Sequence, residues 1–248
     1  MLKDEQAFKA LMRPIRTRVG QAIGKFELIS AHDRICIGFS GGKDSTILLH
    51  VLSDMKRYSP VPFSLTAVHI GMGWGHDPDF LQQVCVDAGI PFHYEKTDIG
   101  EIVFSSRNER NPCSLCANMR RGALNNIATD LGCNKVALGH HLDDLLETFL
   151  LSMSFEGRLH TFSPSAYLTR KELTVIRPLI LVPESDIITA SKCLGIPSPN
   201  QSCPIEGNTK RDSMKKTIHT LSQEIPDLRQ KWLAAIQNNQ LDEIWSKE

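Results

Sequence analysis

Six consecutive residues, Ser40-Gly41-Gly42-Lys43-Asp44-Ser45, bring two glycines, two hydroxyls, an ammonium and a carboxylate into one short stretch. These residue types suit an anion. The glycines let the backbone turn tightly and set its N–H groups against a phosphate. Ser40 and Ser45 supply hydroxyl donors, Lys43 neutralises phosphate oxygens, and Asp44 caps the following helix or helps hold magnesium. The spacing departs from the Walker pattern G-x-x-x-x-G-K-S/T. The nearest text to that pattern, Gly20 to Phe26, is one residue short and reads as ordinary helix. Gly71-Met72-Gly73-Trp74-Gly75 fails the dinucleotide spacing and reads as a loop. The plain alternative for the hexad is a well-capped strand-to-helix turn.

A second cluster is Gly139-His140-His141-Leu142-Asp143-Asp144, with Glu147-Thr148 behind it. Asp143 and Asp144 suit magnesium or proton transfer, and His140 suits orienting a phosphate. Acidic residues also favour the first turn of any helix, so capping alone is the rival reading. Gly139 and His69 join the hexad as candidate contacts to the bound anion.

The third cluster is Cys113-Ser114-Leu115-Cys116, running into Arg120-Arg121. A C-x-x-C pair in a reduced compartment holds a metal, exchanges disulfides, or is coincidental. Structural zinc wants four ligands. The one further strong thiol is Cys203, in the proline-bounded polar text NQSCPIEG. Three thiolates suit an iron–sulfur cluster with one iron open; zinc completed by a histidine is the alternative. Cys36, Cys85, Cys133 and Cys193 have apolar neighbours and read as core residues. An odd total of seven cysteines, behind a charged start without an apolar signal segment, argues against a disulfide framework and secretion.

Each cluster needs a platform, and the apolar pattern supplies one. A basic amphipathic helix is expected through about Phe26. Strands are expected at Arg34–Phe39, Phe63–Ile70, Pro91–Lys96, Lys135–Leu138 and Val175–Leu181. Helices are expected at Asp44–Leu52, Phe80–Ala88, Cys116–Leu131 and Leu142–Met153, with another opening at Pro183. Such alternation implies an α/β fold, a parallel sheet with helices on both faces. Ligands in such sheets bind outside the carboxyl ends of the strands. We divide the chain into an N-terminal helical extension (1–30), a nucleotide domain (31–195), and a loop with helical tail (196–248). In the tail, Leu221, Ile225, Trp232 and Trp245 are the strongest core signals.

The 28 basic residues equal the 28 acidic ones, so whole-molecule charge gives no pull toward nucleic acid. The run Thr209–Lys216 is nevertheless basic, which makes Lys210 and Arg211 candidate contacts to RNA or phosphate. No apolar run is long enough to span a membrane.

SGGKDS between a strand and a helix resembles the PP-loop superfamily, which splits ATP into AMP and pyrophosphate on an adenine-nucleotide alpha-hydrolase-like fold. GHHLDD with Glu147-Thr148 looks like the GHxxDDxxET signature of its tRNA-acting branch. CSLCxxxRRGxL, VIRPL at Val175–Leu179 and Cys203 extend the match to the tRNA 2-thiocytidine synthetase (TtcA) family, from about Lys25 to Lys216. The resemblance implies a sulfurtransferase that uses ATP and Mg2+ to adenylate a cytidine carbonyl oxygen, which sulfur then displaces. It implies that Cys113, Cys116 and Cys203 hold a 4Fe-4S cluster, and that Arg120 and Arg121 hold phosphate of ATP or RNA. It further implies a cytoplasmic enzyme with tRNA and a sulfur donor, such as a cysteine desulfurase, as partners; a homodimer is compatible with it. Trp74, Phe104 and Tyr167 are candidate stacking residues for an unstacked base. The rival readings are a PP-loop ligase of the tRNA-lysidine type, a small-molecule sulfurtransferase, and a non-enzymatic ATP sensor.

Overall fold

A computed structural model describes residues 5–73, 78–106, 112–194 and 210–238. In chain order its elements are α1 (Glu5–Phe26), β1 (Arg34–Gly38), α2 (Lys43–Tyr58), β2 (Ser64–Gly71), α3 (Asp79–Asp87), β3 (Phe92–Lys96), α4 (Ile99–Glu101), α5 (Pro112–Asp130), β4 (Lys135–Ala137), α6 (Leu142–Leu151), β5 (Ser165–Leu168), β6 (Leu173–Ile176), α7 (Glu184–Leu194), α8 (Lys210–Glu224) and α9 (Leu228–Gln237). Short π-helical turns at Ile102–Ser106 and Ser152–Glu156 follow α4 and α6. These elements form two compact units. The first holds the six strands with α1–α5 and α7, and the second holds α6, α8 and α9.

The first unit is built on a sheet of order β3-β2-β1-β4-β6-β5. Ile35, Cys36 and Ile37 of β1 are all fully buried. Successive side chains point to opposite faces, so both faces of this strand are covered. On one face Cys36, Val68, Val136 and Val175 pack with Leu124 and Ala128 of α5. The α2 helix lies against β1 and β2 and packs on α7 and α1. All strand pairs are parallel except β5 with β6.

Chain order reverses at β1, whose neighbours are β2 on one side and β4 on the other. Such a switch point opens a crevice at the strands' carboxyl ends. SGGKDS leaves β1 there, and Gly139-His140-His141 leaves β4 beside it.

Besides α2, which runs on to Tyr58 past the expected Leu52, two elements differ from the expected pattern. The last strand covers Leu173–Ile176 instead of Val175–Leu181, and antiparallel β5 precedes it. Pro178 has no N–H to extend the ladder. The chain instead turns, with Ile180 N donating to Arg177 O at 3.1 Å and Val182 N to Leu179 O at 2.8 Å. The second difference is that α5 begins at Pro112, so both thiols of the C-x-x-C pair lie near its start. A proline suits the first turn because its missing N–H would have no partner there.

In the second unit Leu142, Leu145, Leu146 and Leu150 of α6 are buried, at the three-and-four spacing of one helix face. Both α8 and α9 pack against α6. Ile218 and Leu228 are buried. Of the expected tail residues, Leu221 and Trp232 are half-buried and Ile225 is exposed, while Trp245 lies outside the described residues. Among the described residues no helix is long and apolar enough to cross a membrane.

Candidate active site

The hexad is a turn braced by its own hydroxyls. Gly41 has φ +80°, a conformation that costs an L side chain strain. A Cβ there would also stand 2.6 Å from a Leu81 methyl. Ser45 Oγ accepts from Ser40 N at 3.2 Å and donates to Gly42 O at 3.0 Å. Gly42 N donates to Ser40 Oγ at 3.3 Å. Gly42 is the N-cap of α2 and has no side-chain cap bond, so Asp44 does not cap the helix. The first-turn amides lack intrahelical partners, and the helix dipole puts partial positive charge at the same place. Together they form a cradle for an oxyanion.

Asp44 has a different job. Its carboxylate meets Lys43 Nζ at 2.9 Å and His141 Nε2 at 3.5 Å. Lys43 is also 3.1 Å from Glu184, the first residue of α7. Burial alone would lower the Lys43 pKa, but Asp44 and Glu184 outweigh it and hold the ammonium above its ordinary value. Lys43 therefore stays charged between two carboxylates at the mouth of the cradle.

Gly139 closes this wall. A Cβ on it would lie 3.1 Å from Asp44 C and 3.2 Å from Ser45 N. Both are backbone atoms, so the strand end and the first turn of α2 touch only because residue 139 has no side chain. His69 is buried, donates from Nδ1 to Phe39 O at 2.8 Å, and stacks on Tyr94 with centroids 5.8 Å apart. That bond leaves Nε2 as the acceptor of the neutral ring.

On α5, Cys113 is exposed and Cys116 half-buried. Their i, i+3 spacing puts them on one helix face, and Arg120 continues that face one turn on. Arg120 is half-buried and Arg121 exposed. Cys36, Cys85 and Cys133 are buried, and burial raises each of their thiol pKa values, that of Cys85 to about 12. Cys193 is half-buried. Of the stacking candidates, Phe104 packs on the core cluster, Tyr167 is exposed, and Trp74 lies outside the described residues.

Within the second unit the acidic motif residues are each met by an arginine. Asp143 faces Arg229 Nε at 2.6 Å. Arg211 Nε lies 2.7 Å from Glu147, and its Nη2 3.3 Å from Asp144. Burial raises the Glu147 pKa, and Arg211 only partly offsets this.

Residues 11–217 match the model of the PP-loop domain family. The chain is 40% identical over 228 residues to the tRNA-cytidine(32) 2-sulfurtransferase of Citrifermentans bemidjiense, covering 90% of this chain and 89% of that one. It is 41% identical over 242 residues to the enzyme of the same name from Pelobacter propionicus, covering 96% and 90%. This chain belongs to the PP-loop family, among the tRNA-cytidine(32) 2-sulfurtransferases. Its fold is similar to that of the U34-tRNA thiolase NcsA from Methanococcus maripaludis, solved with its 4Fe-4S cluster. The TM-score is 0.73 at 20% identity, over 97% of this chain and 82% of that one.

Membership in this sulfurtransferase family makes the thiols the natural place to ask what group the chain could hold. Cys113 and Cys116 fit two positions of a soft-metal site, being accessible, one turn apart and at the positive end of a long helix. The buried thiols do not fit, since burial keeps them protonated. Cys203 lies outside the described residues. Sequence reasoning singled out His140, which is half-buried, whereas it is His141 that meets Asp44. It also missed Glu184, Arg229 and the anchoring of Arg211. The doubled histidine was a visible cue. Glu184 and Arg229, the distant partners of Lys43 and Asp143, gave none, because they lie far away in sequence.

Proposed function

We propose that this chain catalyses ATP-dependent thiolation of a cytidine in tRNA. The supporting observation is the glycine-backed turn of Ser40–Ser45, with Gly139 seated against its backbone at the sheet's switch point. The names of the 40%-identical relatives point to the substrate.

A ring carbonyl oxygen leaves poorly, so sulfur needs it activated first. In the proposed reaction that oxygen attacks the α-phosphorus of ATP, a new P–O bond forms, and the bond to pyrophosphate breaks. Sulfur then forms the C–S bond as the C–O bond breaks, releasing AMP. The amides of the turn and the Ser40 and Ser45 hydroxyls hold the outer phosphates. Lys43 neutralises charge there, moving from Glu184 toward phosphate while Asp44 and His141 keep their pairing. Asp44 is the proposed ligand for Mg2+. Asp143, Asp144 and His140 keep the metal or proton roles that their motif implies. Their support is their place in the chain beside Gly139. His69 and Gly139 are proposed ATP contacts. Cys113, Cys116 and Cys203 would hold a 4Fe-4S cluster, which when bound presents sulfur to the activated carbon. Arg120 and Arg121 take phosphate. A cysteine desulfurase is the proposed type of sulfur source, and the cytoplasm the proposed place.

The test is mass spectrometry of tRNA nucleosides from cells with and without the gene. We expect a thiolated cytidine to disappear and to return with the wild-type gene but not with Cys113→Ser. Unchanged thiolation in the deletion would defeat the reading. In vitro, Asp44→Ala and Ser45→Ala should each slow tRNA-dependent AMP release by roughly 100-fold or more. Release at the wild-type rate would remove these residues from the mechanism.

A further inference from the structure

Three of the nine exposed large hydrophobic residues among those described fall within one run of seven. They are Met153, Phe155 and Leu159, at 44%, 51% and 56% exposure. Scattered exposed apolar residues are ordinary, but a cluster on a built surface calls for an occupant. This one is built. The π-helical turn Ser152–Glu156 ends in left-handed Gly157, and both Gly157 N and Arg158 N donate to Ser152 O. The buried Ser152 donates its hydroxyl to Glu156 at 3.3 Å, and Thr161 donates to Leu145 O of α6 at 3.0 Å. π-Helical turns of this kind are frequent at functional sites.

A cation is fixed to the same patch. Lys210 Nζ stands 4.3 Å from the centroid of the Phe155 ring. Lys210 is the first residue of α8, and Arg211 beside it is anchored on Glu147. Arg158 and His160, both exposed, border Leu159 in the chain. A ring that is half exposed, with an ammonium over one face and Arg158 three residues on in the chain, matches a planar, anion-bearing ligand at its other face. Three apolar side chains fall well short of the roughly 800 Å² per partner that a stable protein interface needs. The arrangement therefore favours a nucleotide over a second copy of the chain.

We infer that Phe155, with Lys210 at its ring, is a stacking platform for an unpaired base of single-stranded RNA. The ring takes the face of the base, and Lys210 and Arg158 take neighbouring phosphates. Stacking of this kind tolerates any base, so the platform adds affinity and placement without selecting a sequence. The inference rests on the tRNA substrate proposed above and adds a contact that the catalytic motifs do not contain.

Binding of fluorescein-labelled tRNA to the full chain tests it. Phe155→Ala should weaken binding about tenfold at fixed salt and leave ATP binding unchanged. Phe155→Trp should bind within about threefold of wild type, and its added fluorescence should be quenched by RNA. Lys210→Gln should reduce the slope of log affinity against log salt by about one. If the wild type binds tRNA and Phe155→Ala binds it equally well, the platform is overturned while thiolation stands. A change in sedimentation of Phe155→Ala would assign the patch to a second copy and also overturn it. A wild type that binds no tRNA would remove both readings together.

Discussion

The Arg229 guanidinium donates to the Asp143 carboxylate at 2.6 Å across 86 residues of chain. The Asp143 side chain is 6% exposed, and Arg229 also donates to the Ser222 hydroxyl of α8 at 2.8 Å. One side chain of α9 thus ties a motif carboxylate of α6 to α8. The tail helices support the acidic motif. A buried carboxylate without such a partner would carry an uncompensated desolvation cost.

Removing Arg229 should therefore cost more than an ordinary surface change. We expect Arg229→Ala to lower stability by about 3 kcal/mol, read as a shift in urea midpoint at constant slope. The double variant Arg229→Met with Asp143→Leu should recover much of that loss, because it removes both charges. A midpoint within error of wild type for Arg229→Ala would refute the pairing.

Two glycine substitutions should move in opposite directions. Gly139→Ala places a methyl 3.1–3.2 Å from the backbone of Asp44 and Ser45, so the Ser40–Ser45 turn must give by a few tenths of an ångström. Displacements on the order of 1 Å cost about 100-fold in rate, so this smaller one should cost roughly tenfold in AMP release. Gly24→Ala on α1 meets nothing within 4 Å. It should raise stability by about 0.5–1 kcal/mol with activity unchanged. Equal behaviour of the two would contradict the packing described.

Acid should undo a network at the other end of the sheet. Burial raises the Asp33 pKa, but bonds from Lys135, Ser30 N and Asn134 outweigh it and hold the group below its ordinary 3.8. Its folded value is thus lower than its unfolded one. The linked stability is present above 3.8 and is lost as pH falls through the depressed folded value. Chemical denaturation between pH 5 and pH 2, as a round working range, should show this loss in wild type and a shallower one in Asp33→Asn. Parallel curves would show that Asp33 contributes nothing to acid sensitivity.

Thiol chemistry should separate the cysteines. Alkylation needs the thiolate and access, so brief iodoacetamide treatment of cluster-free protein should label Cys113 and Cys116. Cys36 and Cys85, buried with raised pKa values, should react only after unfolding. Peptide mass mapping reads the pattern. Early labelling of Cys36 would contradict the core assignment.

Much of the sheet was legible because its signals are local. RICIG alternates between two buried faces, and the glycine pair announces a turn wherever it sits. The parallel order followed from alternation of strands and helices. The end of β6 is not legible, because an apolar run such as VIRPLIL reads equally well as strand or as buried turn, and only Pro178 marks the break. The start of α5 is not legible either, because Pro112 suits both a loop and a first helical turn.

Sequence by itself determined the glycine-backed turn, the acidic motif and the C-x-x-C pair, since each is a run of neighbours set by residue type and spacing. Tertiary structure alone decided that His141 faces Asp44, that Glu184 shares Lys43, and that Arg229 holds Asp143. Ion pairs between distant residues exist only where packed helices and strands bring the charges within a few ångströms. No local pattern encodes that distance.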